Sequence, residues 1–187
     1  MRQSLLRQIE ADPPPGLAEC VSGHATLLFE FLPGKGDKHI LQNWLMQHPE
    51  RSTHEVMGRL HEIPMRYTGI DLARVAGHTG LSVSEVIERH CAPEYRVDLI
   101  GFAPGFPYLD GLDPALYTPR LDSPRVRVAA GSVAIGGNHA GIYSITGPGG
   151  WNILGHTEVK LFDLTTAQCL LTPGDRIRFV PLVRETD

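Results

Sequence analysis

Apolar and polar positions follow two textures along this chain, and the change falls near residue 63. Before it the pattern is mixed. After the Pro13–Gly16 turn, LAECV (17–21) and ATLLFEF (25–31) read as strands, and PGKGD (33–37) reads as a loop. Asp37 is placed to cap a helix over 38–48, where Ile40, Leu41, Trp44, Leu45 and His48 share one face and Pro49 ends the run. Residues 50–62 are polar with scattered apolar positions and fit no single element. Two short helices follow. Thr68 to Asp71 has the form of a capping box before the stripe Leu72, Val75 and Ala76, which Gly77 or Gly80 ends. Ser82 to Glu85 repeats that form before Val83, Val86, Ile87, His90 and Cys91, and Pro93 closes the segment.

From Tyr95 onward, short apolar runs alternate with Gly and Pro turns. Strands are predicted at 96–102, 125–129, 132–135, 141–145, 151–154, 159–162 and 176–180. In the last, Ile177 and Phe179 point one way and Arg176 and Arg178 the other, after a PGD turn at 173–175. Short strands without long helices between them predict a closed, largely antiparallel barrel. The fold class expected is mainly β, with an α+β part over 1–62 and a barrel over 63–187.

Composition narrows the picture. The 187 residues are 42% hydrophobic and 20% charged, enough to build a core and to exclude dominant disorder. A formal charge of -4 leaves no basic excess for nucleic acid. No apolar run is long enough to span a membrane, and the N-terminus lacks the apolar stretch of a secretory signal. Cys20, Cys91 and Cys169 are odd in number and form no C-x-x-C pair, so a disulfide framework is not expected. A cytoplasmic protein is the default reading.

Candidate chemistry gathers in the second part. GFAPGFPYLDGLD (101–113) packs Gly, Pro and aromatics into one loop. Pro104 fixes φ, Gly105 permits a close approach, and Phe102, Phe106 and Tyr108 offer flat walls. This is either a rigid loop lining a small-molecule pocket or a packed surface loop. GPGGW (147–151) could gather backbone N–H groups around an anion, or simply form a tight hairpin before Trp151; it matches neither common phosphate-loop pattern. The two Pro-Arg units at Arg120 and Arg125 could project guanidiniums toward a carboxylate or phosphate, or into solvent. Nine histidines show no metal-ligand spacing, so no metal is expected. His90 sits on the apolar face of its helix. His139 and His156 lie in the Gly-rich half, and Ser132 opens an apolar run.

Together, SVSEVIERH (82–90), GFAPGFPYLDGLD, PR at 119–120 and 124–125, AGSVAIGG (130–137), GIY (141–143), PGGWNILGHT (148–157), LFD (161–163) and PGDRIRF (173–179) resemble one family. It carries the names allophanate hydrolase subunit 1, Kip inhibitor of sporulation histidine kinase, and the B subunit of prokaryotic 5-oxoprolinase. The similarity runs from about Ile63 to Val183. It implies a cyclophilin-like β-barrel behind a ferredoxin-like N-terminal domain, here shortened, with its opening strand–helix pair missing. It implies a homologous second barrel subunit and a third subunit as partners, and ATP as co-substrate for opening 5-oxoproline to L-glutamate. The alternatives it carries are a non-catalytic regulator binding a sensor histidine kinase and a carboxyltransferase-related enzyme acting on another amide. Set against the resemblance, the residue chemistry gives catalytic roles to Arg125 and His90. Substrate contact falls to Phe102, Pro104, Gly105, Phe106, Tyr108, Arg120, Ser132, His139 and His156, and phosphate contact to Gly147, Gly149, Gly150 and Trp151. The chain departs from the family pattern at His139-Ala140, where Gln-Thr is usual, at Gly147, where Ser is usual, and at His156-Thr157-Glu158, where Arg-Thr-Pro is usual.

Overall fold

A computed structural model of the chain describes residues 2–49 and 58–182. They form two compact units, Met1–Met57 and Gly58–Asp187. The predicted boundary at 62/63 would cut through a strand that belongs to the second unit.

The first unit contains α1 (Arg2–Ala11), β1 (Leu17–Ser22), β2 (Leu27–Phe31) and α2 (Lys38–Gln47), with β1 and β2 paired antiparallel. Helix α1, where the sequence reading placed no element, buries Ile9. Helix α2 starts as predicted: the Asp37 carboxylate accepts from the N–H groups of His39 (2.8 Å) and Ile40 (3.0 Å). Trp44 is buried, donates its indole N–H to the Asp12 carbonyl (2.9 Å) and stacks on His48 at 4.1 Å.

The second unit opens with β3 (Leu60–Met65), α3 (Leu72–Thr79) and α4 (Val83–Cys91). Then come β4 (Tyr95–Ile100), β5 (Pro107–Asp110), β6 (Arg125–Val128), β7 (Ser132–Gly136) and β8 (His139–Ile142). The last elements are β9 (Gly147–Gly149), β10 (Asn152–His156), β11 (Phe162–Asp163), β12 (Gln168–Cys169) and β13 (Arg176–Pro181). Seven strands form one sheet in the order β10-β7-β8-β5-β4-β13-β3. Arg66, just past β3, bridges His156 at the end of β10 through paired bonds of 2.8 and 2.9 Å. Gly69 and Asp71 continue that seam with N–H bonds to the carbonyls of Leu154 and Ile153. The first and last strands therefore meet, and the sheet is a nearly closed barrel in a mainly β fold.

Four expectations change. Strand β3 falls partly in the unassigned segment 50–62, of which 50–57 lie outside the described residues; it pairs parallel with β13, whereas the main-sheet pairs formed by β4, β5, β7, β8, β10 and β13 among themselves are antiparallel. Pro64 hides it from a strand reading, and is tolerated because the named ladder uses one side of β3 only. PYLD (107–110), read as loop, is a strand pairing with both β4 and β8. The predicted strand at 159–162 shrinks to the two-residue pair of β11 with β12. Helix α4 carries the predicted capping box, Ser82 Oγ accepting from Glu85 N–H (3.2 Å) and Glu85 Oε2 from Ser82 N–H (2.8 Å). Thr68–Asp71 does not make one: Asp71 precedes α3 without a side-chain cap bond. The barrel core is apolar and fully buried, with Met65, Tyr95, Leu109, Ile135, Leu154 and Phe179 at its centre.

Candidate small-molecule site

A second, aromatic cluster sits beside that core: Phe106, Val128, Ala134, Tyr143 and Trp151. Phe106 is its hub. It meets Phe102 at 5.3 Å, Tyr108 at 5.2 Å, Tyr143 at 5.3 Å and Trp151 at 5.6 Å, all edge to face. Backbone geometry holds the rings in place. Gly105 turns with φ +72° against Phe162, where a Cβ would come within 2.9 Å. Phe102 adopts φ +69°, a strained value for a bulky residue, and the residue is 62% exposed.

These rings wall a cavity of about 320 Å³. Its lining comprises Phe102, Phe106, Tyr108 and Tyr143 from β5, β8 and their flanking loops; Arg120, Leu121 and Pro124 from the loop before β6; and Pro148, Gly149, Gly150 and Trp151 from β9 and beyond. The wall is mostly apolar, and Arg120 is the charged side chain in it. Its guanidinium carbon lies 5.7 Å from the centroid of the Trp151 ring. Tyr143 is held neutral: burial raises its pKa, partly offset by the Trp151 backbone hydrogen bond and the charges of Arg120 and Arg125.

The predicted residues divide between this cavity and other places. Phe102, Phe106, Tyr108, Arg120, Gly149, Gly150 and Trp151 line it together. Pro104 and Gly105 shape the loop behind it; the Pro104 carbonyl accepts from Ser144 Oγ at 2.6 Å. Ser132 is buried in β7, its carbonyl accepting from Tyr143 N–H. His139 lies 3.4 Å from the Asp110 carboxylate and packs edge-on to Tyr108. His156 is part of the seam, with Nε2 3.0 Å from the Ala130 carbonyl and Nδ1 3.6 Å from Glu158. None of these three histidine and serine side chains lines the cavity.

The two residues given catalytic roles are placed elsewhere. His90 is fully buried in the barrel core, bonded through Nδ1 to Tyr67 Oη (2.8 Å) and stacked on Phe179 at 4.7 Å. Burial lowers its pKa to about 3, so it is a neutral core residue, and it is not among the residues that line the cavity. Arg125 pairs with Asp71 at 2.8 Å, with a longer contact to the Trp151 carbonyl at 3.5 Å. The same Asp71 carboxylate accepts from Ile153 N–H at 2.7 Å. Arg125 thus ties β6 to the barrel seam. The glycine run 147–150 is not an anion nest either. Gly147–Gly149 is strand β9, paired with β6, and none of its glycines takes the left-handed conformation. Gly149 has its own reason: a Cβ there would collide with Tyr143 Oη.

Sequence reasoning missed Leu121, Pro124, Tyr143 and Pro148 in the lining, and Asp71 behind it. Pro124 and Pro148 flank residues that had been singled out. The local pattern marked Asp71 only as part of a capping box; its link to Arg125 was not legible, since its partners are 54 and 82 positions away.

The fold is a β-barrel with an aromatic-walled cavity on it, the kind of concave, mostly apolar feature in which small-molecule sites are found. Residues 2–172 match the carboxyltransferase domain family, subdomains C and D. The chain belongs to this family. It is 48% identical over 145 residues to the B subunit of 5-oxoprolinase from Escherichia coli O157:H7, covering 75% of this chain and 65% of the relative. It is 37% identical over 190 residues to the B subunit of 5-oxoprolinase from Bacillus subtilis, covering 92% and 78%. The solved structure of TTHA0988 superposes with a TM-score of 0.83 at 41% identity, over 99% of this chain and 37% of that one. The chain therefore spans somewhat under two thirds of the length of the first relative. Among the described residues no helix is long and apolar enough to cross a membrane, and no group of His, Cys, Asp and Glu could hold a metal.

Proposed function

We propose that this chain is a subunit of a 5-oxoprolinase-like complex, working with a homologous barrel subunit and a third subunit to open 5-oxoproline to L-glutamate at the cost of ATP. The observation that carries the reading is the 48% identity over 145 residues to the B subunit of a 5-oxoprolinase. The aromatic cavity supports it: five-membered lactam rings are small and flat, and rings of that kind suit walls such as Phe106, Tyr108 and Trp151. ATP supplies the driving force by activating a lactam carbonyl that is otherwise a poor electrophile. The cavity does not fit the nucleotide itself. Its lining offers one cation and no nest of left-handed glycines to a triphosphate carrying several charges. Nucleotide binding belongs to another subunit in this reading. What this chain contributes is an apolar, shaped seat for the ring, in which positioning lowers the barrier.

The test is reconstitution. The chain is mixed with the homologous barrel subunit and the third subunit from the same genome, and glutamate release from 5-oxoproline is followed with and without ATP. ATP-dependent release that disappears when this chain is omitted supports the proposal. Equal release without it overturns the proposal. Stoichiometric capture of a sensor histidine kinase with no turnover would favour the regulator.

A further inference from the structure

Several arginines of the barrel are committed to partners. Arg125 pairs with Asp71, Arg89 with Asp113, Arg176 and Arg178 with Glu94, and Arg74 with the Asn152 side chain. Arg120 has no acidic partner among the described residues, although it stands at the wall of the aromatic cavity. What holds it there is the Trp151 ring. A guanidinium over an aromatic face keeps its N–H fork in the plane and free to take a planar anion from the side. Around it the cavity wall is mostly apolar, so a charge-assisted bond made by the exposed Arg120 against that wall meets few competing polar side chains. The cavity volume, about 320 Å³, lies at the small end of the range for ligand pockets.

We propose that Arg120 is the carboxylate anchor of this cavity, so that its ligand is a small ring-bearing carboxylic acid with the ring against Trp151, Phe106 and Tyr108. The identity of that acid as 5-oxoproline rests on the function proposed above; the ligand class rests on the cavity alone. Arg120 sets specificity for an anionic ring, and Arg125, although it follows the other Pro-Arg step, has its charge neutralised by Asp71 and does not compete for the carboxylate.

Calorimetry on the full chain separates the parts with three probes. 5-Oxoproline has both carboxylate and lactam, cyclopentanecarboxylate has the carboxylate without the lactam, and 2-pyrrolidinone has the lactam without the carboxylate. Both carboxylates are expected to bind the wild type more tightly than 2-pyrrolidinone. Arg120→Ala is expected to weaken both by about tenfold to a hundredfold, the value of a charge-assisted bond, and to leave 2-pyrrolidinone unchanged. Arg120→Lys, which keeps the charge but not the fork, should fall between. Arg120 is exposed, so both variants fold, and near-UV circular dichroism checks this. Unchanged carboxylate affinity in Arg120→Ala overturns the inference, as does no binding of either acid at tens of millimolar. The two proposals fail separately. If cyclopentanecarboxylate binds through Arg120 and 5-oxoproline does not, the anchor stands and the oxoprolinase reading falls. If the reconstituted complex cleaves 5-oxoproline with an unchanged KM after Arg120→Ala, the reading stands and the anchor falls.

Discussion

Arg120 and Arg125 each follow a proline in the same segment, and the fold gives them opposite environments. Arg120 faces the cavity over Trp151, whereas Arg125 is closed onto a buried carboxylate. Removing Arg125 leaves Asp71 buried with its charge and a single backbone donor. Arg125→Ala should therefore lower stability by about 1–3 kcal/mol in urea denaturation, and adding Asp71→Asn should recover part of the loss, because the buried charge then goes too. A single variant with the wild-type midpoint would remove the clamp from the account. His90 gives a pH signature. Its pKa falls from 6.5 to about 3 on burial. Below pH 6.5 the unfolded chain takes up a proton that the folded chain refuses, so stability is complete above that value and declines as pH falls toward about 3. The urea midpoint should drop between pH 7.5 and pH 5, and the drop should be smaller in His90→Phe; equal drops would show that other groups set the acid limb.

At the scale of elements, the seam decides whether the sheet is a barrel or an open ribbon. The strand ends meet through the Arg66–His156 bridge, and glycines make the approach possible. A Cβ at Gly155 would run into the Arg66 carbonyl, and one at Gly69 into the Ile153 carbonyl. Backbone atoms cannot step aside as a side-chain tip can. Gly155→Ala should cost about 1–3 kcal/mol, comparable to overpacking a core, and speed amide exchange at Arg66 and His156 before the rest of the sheet. Unchanged protection at both amides would contradict a closed seam. Much at this scale was legible in the sequence. Asp37 and Ser82 announced α2 and α4 because capping is a local reaction between a side chain and N–H groups two or three residues away. PYLD was not legible, since Pro104 and Gly105 before it and Pro107 at its start make a loop in any local reading; it is a strand because β4 and β8 lie on both sides.

For the whole molecule, the sheet, the seam and both apolar clusters are drawn from residues 58–182. A chain beginning at Gly58 should therefore keep a cooperative thermal transition and the near-UV signal of Trp151. Loss of that transition would show that the first unit is needed for the barrel to fold. The predicted start at 63 would fail the same experiment, because it removes half of β3 and with it part of the pairing with β13. The candidate site was about half legible for a related reason. Its aromatic loop and Arg120 stood out as unusual local chemistry. Tyr143, which directly follows β8, and the separation of Arg125 from the cavity did not.

Local chemistry in the sequence determined the helix starts, most of the strands, the mainly β class, the aromatic character of the site and the family. Such features depend on neighbours within a few residues, or on strings specific enough to stand alone. Tertiary structure decided the parallel β3–β13 pair, the closing of the barrel and the surroundings of His90, Arg120 and Arg125. Those depend on burial and on partners dozens of positions away. A charge becomes an anchor or a clamp only when the fold has settled which carboxylate, if any, it will meet.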